Sequence, residues 1–143
     1  MARQLYYEDV AVESEIPALI KHPTPRQLVM WAGASTDFYE IHYDGDFAHN
    51  NGLPGIIVHG QLSCGFLGQM ITDWIGDEGS IRKLTCGYKG MNFPGEALTC
   101  RGEVTGKYLA DNEHHVEADI WVENPRGERT ALGIVVVTLP ARG

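Results

Sequence analysis

Two stretches of the chain carry apolar residues at helical spacing, and the first follows Thr24–Gln27. That tetrapeptide has the form of a capping box with proline at the first helical position. Four apolar residues come next: Leu28, Val29, Trp31 and Ala32. The pattern predicts a helix over Pro25–Ser35.

The second stretch, Val58–Ile75, is apolar on nearly every face, which predicts a long buried helix. Gly60, Gly65 and Gly68 interrupt it. Each glycine costs roughly 1 kcal/mol relative to alanine inside a helix, so the three indicate close approach by another backbone or by a ligand. Ordinary packing of the helix on a sheet explains any one of them equally well.

After Ser80 the sequence is typical of strands separated by short turns. Four are predicted, over Ile81–Phe93, Ala97–Leu109, His114–Glu123 and Thr130–Leu139. Such an order predicts an antiparallel meander. The polar segment Tyr43–Gly55 is rich in Asp, Asn and Gly and predicts an irregular loop.

Alternation is clearest in the third predicted strand. Four apolar residues are predicted to face the core: Val116, Ala118, Ile120 and Val122. The residues between them then face outward or towards a partner. Val135–Val137 is continuously apolar instead, which predicts a strand buried on both faces.

Length, charge and cysteine use narrow the possibilities. The 143 residues predict one domain over 1–143, and a net charge of -8 with a pI near 5.1 argues against a nucleic-acid partner. The three cysteines have no C-x-x-C spacing, which favours reduced, buried thiols. No apolar run has the length of a membrane span and no leader pattern is visible, so we expect a soluble cytoplasmic protein with no membrane partner.

The candidate chemistry lies between the two predicted helices. Asp37 and His42 precede His59–Gly60, which begins the glycine-led apolar helix. On one continuous helix, residues five apart point about 140° away from each other. The helix must therefore end between Asp37 and His42 if they share a site.

This pattern resembles the MaoC-like (R)-specific enoyl-CoA hydratases and hydroxyacyl-thioester dehydratases. The residues that match in register are Asp37, His42, Asp44, Phe47, Ala48, Gly52, Pro54, His59 and Gly60. The sequence departs from the family at Tyr39 and Glu40, where Asn and Pro are common. It also departs at Gly68, where the family often has a serine that orients the carboxylate. Ser63 is a candidate to replace that serine.

The resemblance implies a fold in the α+β class. It is the hotdog fold, in which a long central helix is wrapped by a curved antiparallel β-sheet, with two copies paired as a dimer. A small sheet around one helix leaves an edge strand exposed, and dimerisation covers it.

The resemblance also implies the reaction, in which water adds to a 2-enoyl thioester. Asp37 and His42 would hold the water, and His42 is favoured as proton acceptor because its reference pKa lies near neutrality. The Gly60 N–H would bind the thioester carbonyl, and its place near a helix start suits developing negative charge. Alternatively, Asp37 caps a helix end and His42 is a loop histidine.

Substrate-binding candidates lie around the start of the buried helix. They are Pro54, Ile57, Val58, His59, Leu62, Ser63 and Phe66. Helix packing explains the apolar members equally well. His59 is either a second acid/base group or a structural histidine, and the structural interpretation is favoured. Gly68 would open the acyl tunnel to a bulkier group.

The predicted function is a hydro-lyase that interconverts a trans-2-enoyl thioester and an (R)-3-hydroxyacyl thioester. No metal and no redox cofactor is expected. The expected partners are an acyl-CoA or acyl-carrier-protein thioester and a second copy of the chain, with a different hotdog subunit as the alternative. Two other functions stay open: a hotdog acyl-thioesterase, and a subunit of a heteromeric hydratase that is inactive alone.

Overall fold

A computed structural model describes residues 3–143. Its three α-helices are α1 (Pro25–Ser35), α2 (Gly45–Asn50) and α3 (Gly60–Ile75). Its five strands are β1 (Glu15–Lys21), β2 (Ser80–Tyr88), β3 (Leu98–Ala110), β4 (Glu113–Glu123) and β5 (Arg129–Leu139). Short 3-10 turns lie at Tyr7–Asp9 and Glu40–His42.

The five strands form one antiparallel sheet in the order β1-β3-β4-β5-β2. The meander prediction is confirmed for β3, β4 and β5. It is wrong for β2, which pairs with β5 at the sheet edge instead of with β3. Strand β1 was not predicted. It is an edge strand in which Ile16 alone is fully buried and Pro17 interrupts the pattern, so it lacks the alternation of a central strand.

Helix α3 packs against the sheet, and the core lies between them. Leu67 and Ile71 of α3 are completely buried, and the inward residues of β4 are those that the alternation predicted. On β5, Val135 and Val137 are buried but Val136 is only half-buried. The prediction of burial on both faces is therefore wrong for β5, because α3 covers one face of the sheet.

The capping prediction for α1 is confirmed for the Thr24 half of the capping box and for the proline. Thr24 accepts a hydrogen bond at 3.2 Å from the Gln27 N–H, and Pro25 occupies the first helical position. The prediction of an irregular loop over Tyr43–Gly55 is wrong, because α2 lies within it. Asp44 starts α2 by accepting from the Phe47 N–H at 3.1 Å.

Within residues 3–143, no helix combines the length and the apolar character needed to cross a membrane.

Candidate active site

The chain leaves α1 just before Asp37. Helix α1 ends at Ser35, and Thr36 adopts the left-handed conformation with φ 63°. The Asp37 N–H then donates to Ser35 Oγ at 3.2 Å. The helix therefore ends before Asp37 rather than between Asp37 and His42, and the carboxylate is free to turn towards the next segment.

His42 lies on the 3-10 turn Glu40–His42, and the residue is only 7% exposed. Its Nδ1 atom is 2.8 Å from the carbonyl oxygen of Ile57. A carbonyl only accepts, so Nδ1 is the donor, and in the neutral imidazole Nε2 then keeps a lone pair. The turn and the Ile57 carbonyl thus fix the ring as a proton acceptor at Nε2.

That lone pair faces the carboxylate of Asp37. The distance from His42 Nε2 to Asp37 Oδ2 is 3.8 Å, which is too long for a direct hydrogen bond and suits a shared water. The Asp37 side chain is 41% exposed, so water reaches the pair from one side. The Tyr39 N–H donates to Asp37 Oδ1 at 3.4 Å and helps to orient the carboxylate.

His59 stacks on the buried side of His42. The ring centroids are 3.7 Å apart, the planes are inclined by 19°, and His59 is 1% exposed. Its Nε2 atom is 3.4 Å from the Asp37 carbonyl oxygen, so it donates there. Burial, and then the neighbouring His42, lower the pKa of His59 below its ordinary value. The His59 ring is therefore neutral, with its proton on Nε2.

Asp37, His42 and His59 offer potential metal-ligand atoms within 4.8 Å of one another. The two rings are nearly parallel, so their nitrogen atoms point side by side instead of converging on one point. One of those nitrogens is also engaged with the Asp37 carbonyl. The arrangement suits hydrogen bonding to a water better than tetrahedral coordination of a cation.

Gly60 is the first residue of α3. The first intrahelical bonds run from the Leu62 and Ser63 N–H groups to the His59 carbonyl, so the Gly60 N–H lies ahead of them. The positive end of the helix dipole is at the same place. A Cβ atom on Gly60 would lie 3.0 Å from the ring of Tyr88. A methyl group at this position would therefore require the Tyr88 ring or the start of α3 to shift.

The other two helix glycines differ from Gly60. A Cβ on Gly65 would meet Trp31 at 3.8 Å, which is an ordinary contact, and one on Gly68 would have no neighbour within 4 Å. The predicted close approach by another backbone is wrong for Gly65 and Gly68, and the nearest neighbour of Gly60 is a side chain, that of Tyr88. Open space beside Gly68 is consistent with the predicted room for a larger acyl group.

The remaining predicted site residues are divided between the site and the core. Val58, Leu62 and Phe66 are buried in the main hydrophobic cluster. Ile57 touches the site through its carbonyl group, whereas Pro54 is exposed and its carbonyl pairs with His49.

Ser63 does not take the place of the family serine. Its Oγ atom accepts from Asn92 Nδ2 at 3.4 Å, and across residues 3–143 its side chain makes no hydrogen bond to Asp37. The Asp37 carboxylate accepts from the Tyr39 N–H instead, while the Asp37 N–H donates to Ser35 Oγ and the Asp37 carbonyl accepts from His59 Nε2.

Asn92 and Tyr88 were not predicted. Asn92 is 4% exposed, and its carbonyl accepts from the Val58 N–H at 2.8 Å, which ties the start of α3 to the segment after β2. Tyr88 ends β2 against Gly60. The one available signal for a buried polar contact was Asn92, a polar residue between Met91 and Phe93. Nothing in the sequence pairs Tyr88 with a glycine 28 positions earlier.

A cavity of about 580 Å³ lies beside the other half of α3, between the N-terminal segment and β1. Its walls include Leu5, Val10, Leu19, Met70 and Trp74. None of the predicted site residues lines it. The acyl tunnel that was expected near the start of α3 stays a prediction.

The cysteine prediction is confirmed in part. Cys64, Cys86 and Cys100 are free, but only Cys100 is fully buried. Burial raises the pKa of Cys86 to about 11, with Cys64 as the next cause. Burial also raises the pKa of Cys100 to about 12. The thiols of Cys86 and Cys100 therefore stay protonated at neutral pH, which does not favour either as a nucleophile.

Residues 8–124 match the family described as MaoC like domain. A fatty acid synthase subunit beta from Aspergillus oryzae is 27% identical over 68% of this chain, but the match covers 5% of that subunit. A 3-oxo-4,17-pregnadiene-20-carboxyl-CoA hydratase beta subunit from Mycobacterium tuberculosis is 29% identical over 66% of this chain and 73% of its own length. An (R)-specific enoyl-CoA hydratase from Rhodospirillum rubrum is 28% identical over 71% of this chain and 70% of its own length.

Two solved structures share the architecture. The R-hydratase PhaJ1 from Pseudomonas aeruginosa superposes with a TM-score of 0.88 at 21% identity, covering 97% of this chain and 88% of that one. The (R)-hydratase from A. caviae superposes with a TM-score of 0.84 at 23% identity, covering 93% of this chain and 99% of that one. Identities this low establish the fold alone. The chain belongs to the MaoC-like domain family and has its hotdog fold.

Proposed function

We propose that this protein is a hydro-lyase that adds water to a trans-2-enoyl thioester and removes it from the (R)-3-hydroxyacyl thioester. One observation carries the proposal. His42 Nε2 and the carboxylate of Asp37 are 3.8 Å apart, a separation that one water hydrogen-bonded to both groups can bridge, and the contact of Nδ1 with the Ile57 carbonyl leaves Nε2 of the neutral ring as an acceptor. Family membership supports an enzyme of the hydratase and dehydratase type in general.

In the proposed step, His42 Nε2 takes a proton from the shared water while Asp37 accepts the second hydrogen of that water in a hydrogen bond. The water oxygen bonds to C3 of the enoyl group, and the electron pair of the C2–C3 double bond moves to the thioester oxygen as an enolate. The imidazolium of His42 then returns its proton to C2. Atoms and charge balance without any other reactant.

The enolate oxygen needs a donor that is already in place. The N–H of Gly60 fills this role in the proposal because it lies ahead of the first helical hydrogen bonds and at the positive end of α3. A preorganised donor of this kind contributes about 10²–10³-fold to turnover in other enzymes.

The substrate assignment is drawn from relatives as well as from the site. The R. rubrum relative is named as an (R)-specific enoyl-CoA hydratase, and this supports the (R) product here. We propose Pro54, Val58, Leu62 and Phe66 as the border of the acyl pocket, together with Ile57 and Ser63, and we place His59 behind this border, out of contact with the substrate. CoA and acyl carrier protein are both compatible carriers.

We also propose that residues 1–143 form one domain that pairs through β2, in the cytoplasm. Strand β2 is nine residues long and, within the described chain, hydrogen-bonds only to β5, so its other edge is free to add a strand. A homodimer through two β2 edges would close both sheets.

A heteromeric hydratase subunit is the second candidate. The M. tuberculosis relative is named as the beta subunit of a hydratase, and this observation favours a partner that is not identical. Chromatography with light scattering on the purified chain distinguishes the two assemblies. An active homodimer supports the first candidate, whereas an inactive single chain supports the second.

The test of the reaction is a spectroscopic assay. Purified protein is mixed with crotonyl-CoA and with longer 2-enoyl-CoAs, and the enoyl-thioester absorbance and free thiol are followed together. We expect the absorbance to fall without thiol release, and His42→Ala to abolish the fall. Thiol release at the same rate would instead identify a thioesterase.

A further inference from the structure

We propose that His59 is the positioning residue of the active site, whose neutral ring holds the imidazole of His42 by stacking and so keeps its Nε2 atom aimed at the Asp37 carboxylate. This inference rests on the proposed hydration. His59 is 1% exposed, so substrate and bulk water do not reach it. It acts through the two groups that do.

His59 contacts both members of the pair. Its ring lies 3.7 Å from the ring of His42 at an inclination of 19°, and its Nε2 donates to the Asp37 carbonyl oxygen at 3.4 Å. The stack is the better formed of the two contacts, because 3.4 Å is long for a hydrogen bond from an N–H donor. We therefore assign the larger share of the positioning to the ring face.

The backbone of His59 makes this position rigid. The residue is the N-cap of α3, and its carbonyl accepts from the Leu62 and Ser63 N–H groups at 3.1 Å and 3.2 Å. A ring that is fixed to the start of a buried helix serves as a reference plane for His42. His42 itself lies on a short turn that carries no such support except the Ile57 carbonyl.

For an electrostatic reason, the ring of His59 can position His42 only while His59 is neutral. The titratable groups that face His59 are His42, across the stack, and Asp37, beyond its Nε2 edge. A positive His59 would repel the imidazolium that forms on His42 during the reaction. Burial prevents this, because the His59 Nδ1 atom has no partner among the described residues that would stabilise a second proton.

Two substitutions separate the ring face from the N–H donor. His59→Phe keeps a ring for the stack and loses the donor, whereas His59→Gln keeps a donor near the Asp37 carbonyl and loses the ring. With crotonyl-CoA we expect His59→Gln to lower kcat at least about tenfold with KM changed less than about threefold, as a misplaced base should do. His59→Phe should retain most of kcat. The reverse order would overturn the stacking proposal.

Folding is checked by circular dichroism and thermal unfolding for both variants. If His59→Phe is too large for its site and does not fold, His59→Gln carries the test alone, and wild-type kcat in that variant contradicts the proposal.

A readout that does not depend on activity keeps this inference separate from the proposed function. Spectra of the protein with ¹⁵N-labelled histidine report the tautomer of His42 directly. The wild type should show a proton on Nδ1 and a bare Nε2, and His59→Gln should show exchange between tautomers. An unchanged His42 signal in His59→Gln would reduce His59 to a structural residue, even if hydration is confirmed. If the His42 signals of both proteins are as expected but the wild type does not hydrate a 2-enoyl-CoA, the proposed function is rejected and the positioning role of His59 is not.

Discussion

The two ends of α3 differ in what they bury. At the first turn some of the buried side chains are polar, with His59 and Ser63 beside His42 and Asn92. At the other end they are apolar, with Met70, Ile71 and Ile75 in the main core. One helix therefore combines the polar end at which we propose the active site with an apolar end that stabilises the core, and its amino-acid pattern changes from one to the other within about three turns.

The polar end carries a cost that the apolar end does not. His59 Nδ1 and Asn92 Oδ1 are buried without a partner among the described residues. Each such atom costs about 1–3 kcal/mol of stability. The apolar end offsets this cost through burial. Substitutions at the first end should therefore change turnover more than stability, and substitutions at the second end should do the opposite.

The largest expected effect is on turnover, from Asp37→Asn. The variant keeps the shape of the side chain and removes the charge that orients the water, so kcat should fall about 10²–10⁴-fold. The side chain is 41% exposed, so the free energy of unfolding should change little. Steady-state hydration assays and urea unfolding measure the two quantities. Normal turnover in a folded variant would remove Asp37 from the mechanism.

For Ile71→Ala we expect the opposite result, a loss of stability with little change in turnover. Ile71 is completely buried, and its truncation should reduce the free energy of unfolding by about 2–5 kcal/mol. Turnover per folded molecule should stay within about threefold of the wild type, because Ile71 lies about three turns from Gly60. Urea unfolding and active-site titration check this. A large loss of kcat in the folded fraction would show that the two ends are not independent.

A smaller effect on turnover is expected for Gly60→Ala. The new methyl group would lie 3.0 Å from the Tyr88 ring and would shift either that ring or the start of α3. We expect kcat/KM to fall about tenfold as the N–H donor moves. Tyr88→Ala in the same chain should recover part of the loss.

Gly65→Ala is the matched control for that change. Its methyl group would meet Trp31 at an ordinary 3.8 Å, so activity should be preserved. Helix propensity should add up to about 1 kcal/mol of stability. Equal losses of activity in Gly60→Ala and Gly65→Ala would mean that the effect belongs to the helix and not to the N–H group.

The smallest effect is a pH dependence of stability. The pKa of folded His59 lies below its ordinary 6.5, so below pH 6.5 the unfolded chain binds a proton that the folded chain excludes. As the pH decreases below 6.5, the free energy of unfolding should therefore decrease, and His59 contributes at most about 1.4 kcal/mol per pH unit to this loss. Urea unfolding of wild type and His59→Gln between pH 7 and pH 5 should give the steeper slope in the wild type. Equal slopes would contradict a neutral buried His59.

Elements with a strong local pattern were predictable from the sequence. Helix α1 begins with an N-cap threonine followed by proline, and α3 has apolar residues at helical spacing over about four turns, so both were found. The prediction that α3 is buried on nearly every face is wrong, because Gln61, Gln69 and Asp73 are exposed. Strand β4 was found from its alternation. Helix α2 has only six residues, too few to show a helical period, and depends on one cap from Asp44. Strand β1 was missed because an edge strand has little to bury.

The site was predictable as far as the motif extends. Asp37, His42, His59 and Gly60 were identified, and the structure brings them together. The stack between His42 and His59 was not predictable, because it depends on where the chain returns after α2. The contacts of Asn92 and Tyr88 with the start of α3 join segments that are distant in sequence, which no local pattern records.

The most direct test of the central claim is the fate of oxygen from isotopically heavy water. The purified chain is incubated with a 2-enoyl-CoA in H₂¹⁸O, and the products are analysed by mass spectrometry. The account predicts an intact thioester with a single heavy oxygen in its 3-hydroxyl group, formed by the wild type and not by His42→Ala. A heavy oxygen in a free carboxylate, with release of CoA, would contradict it.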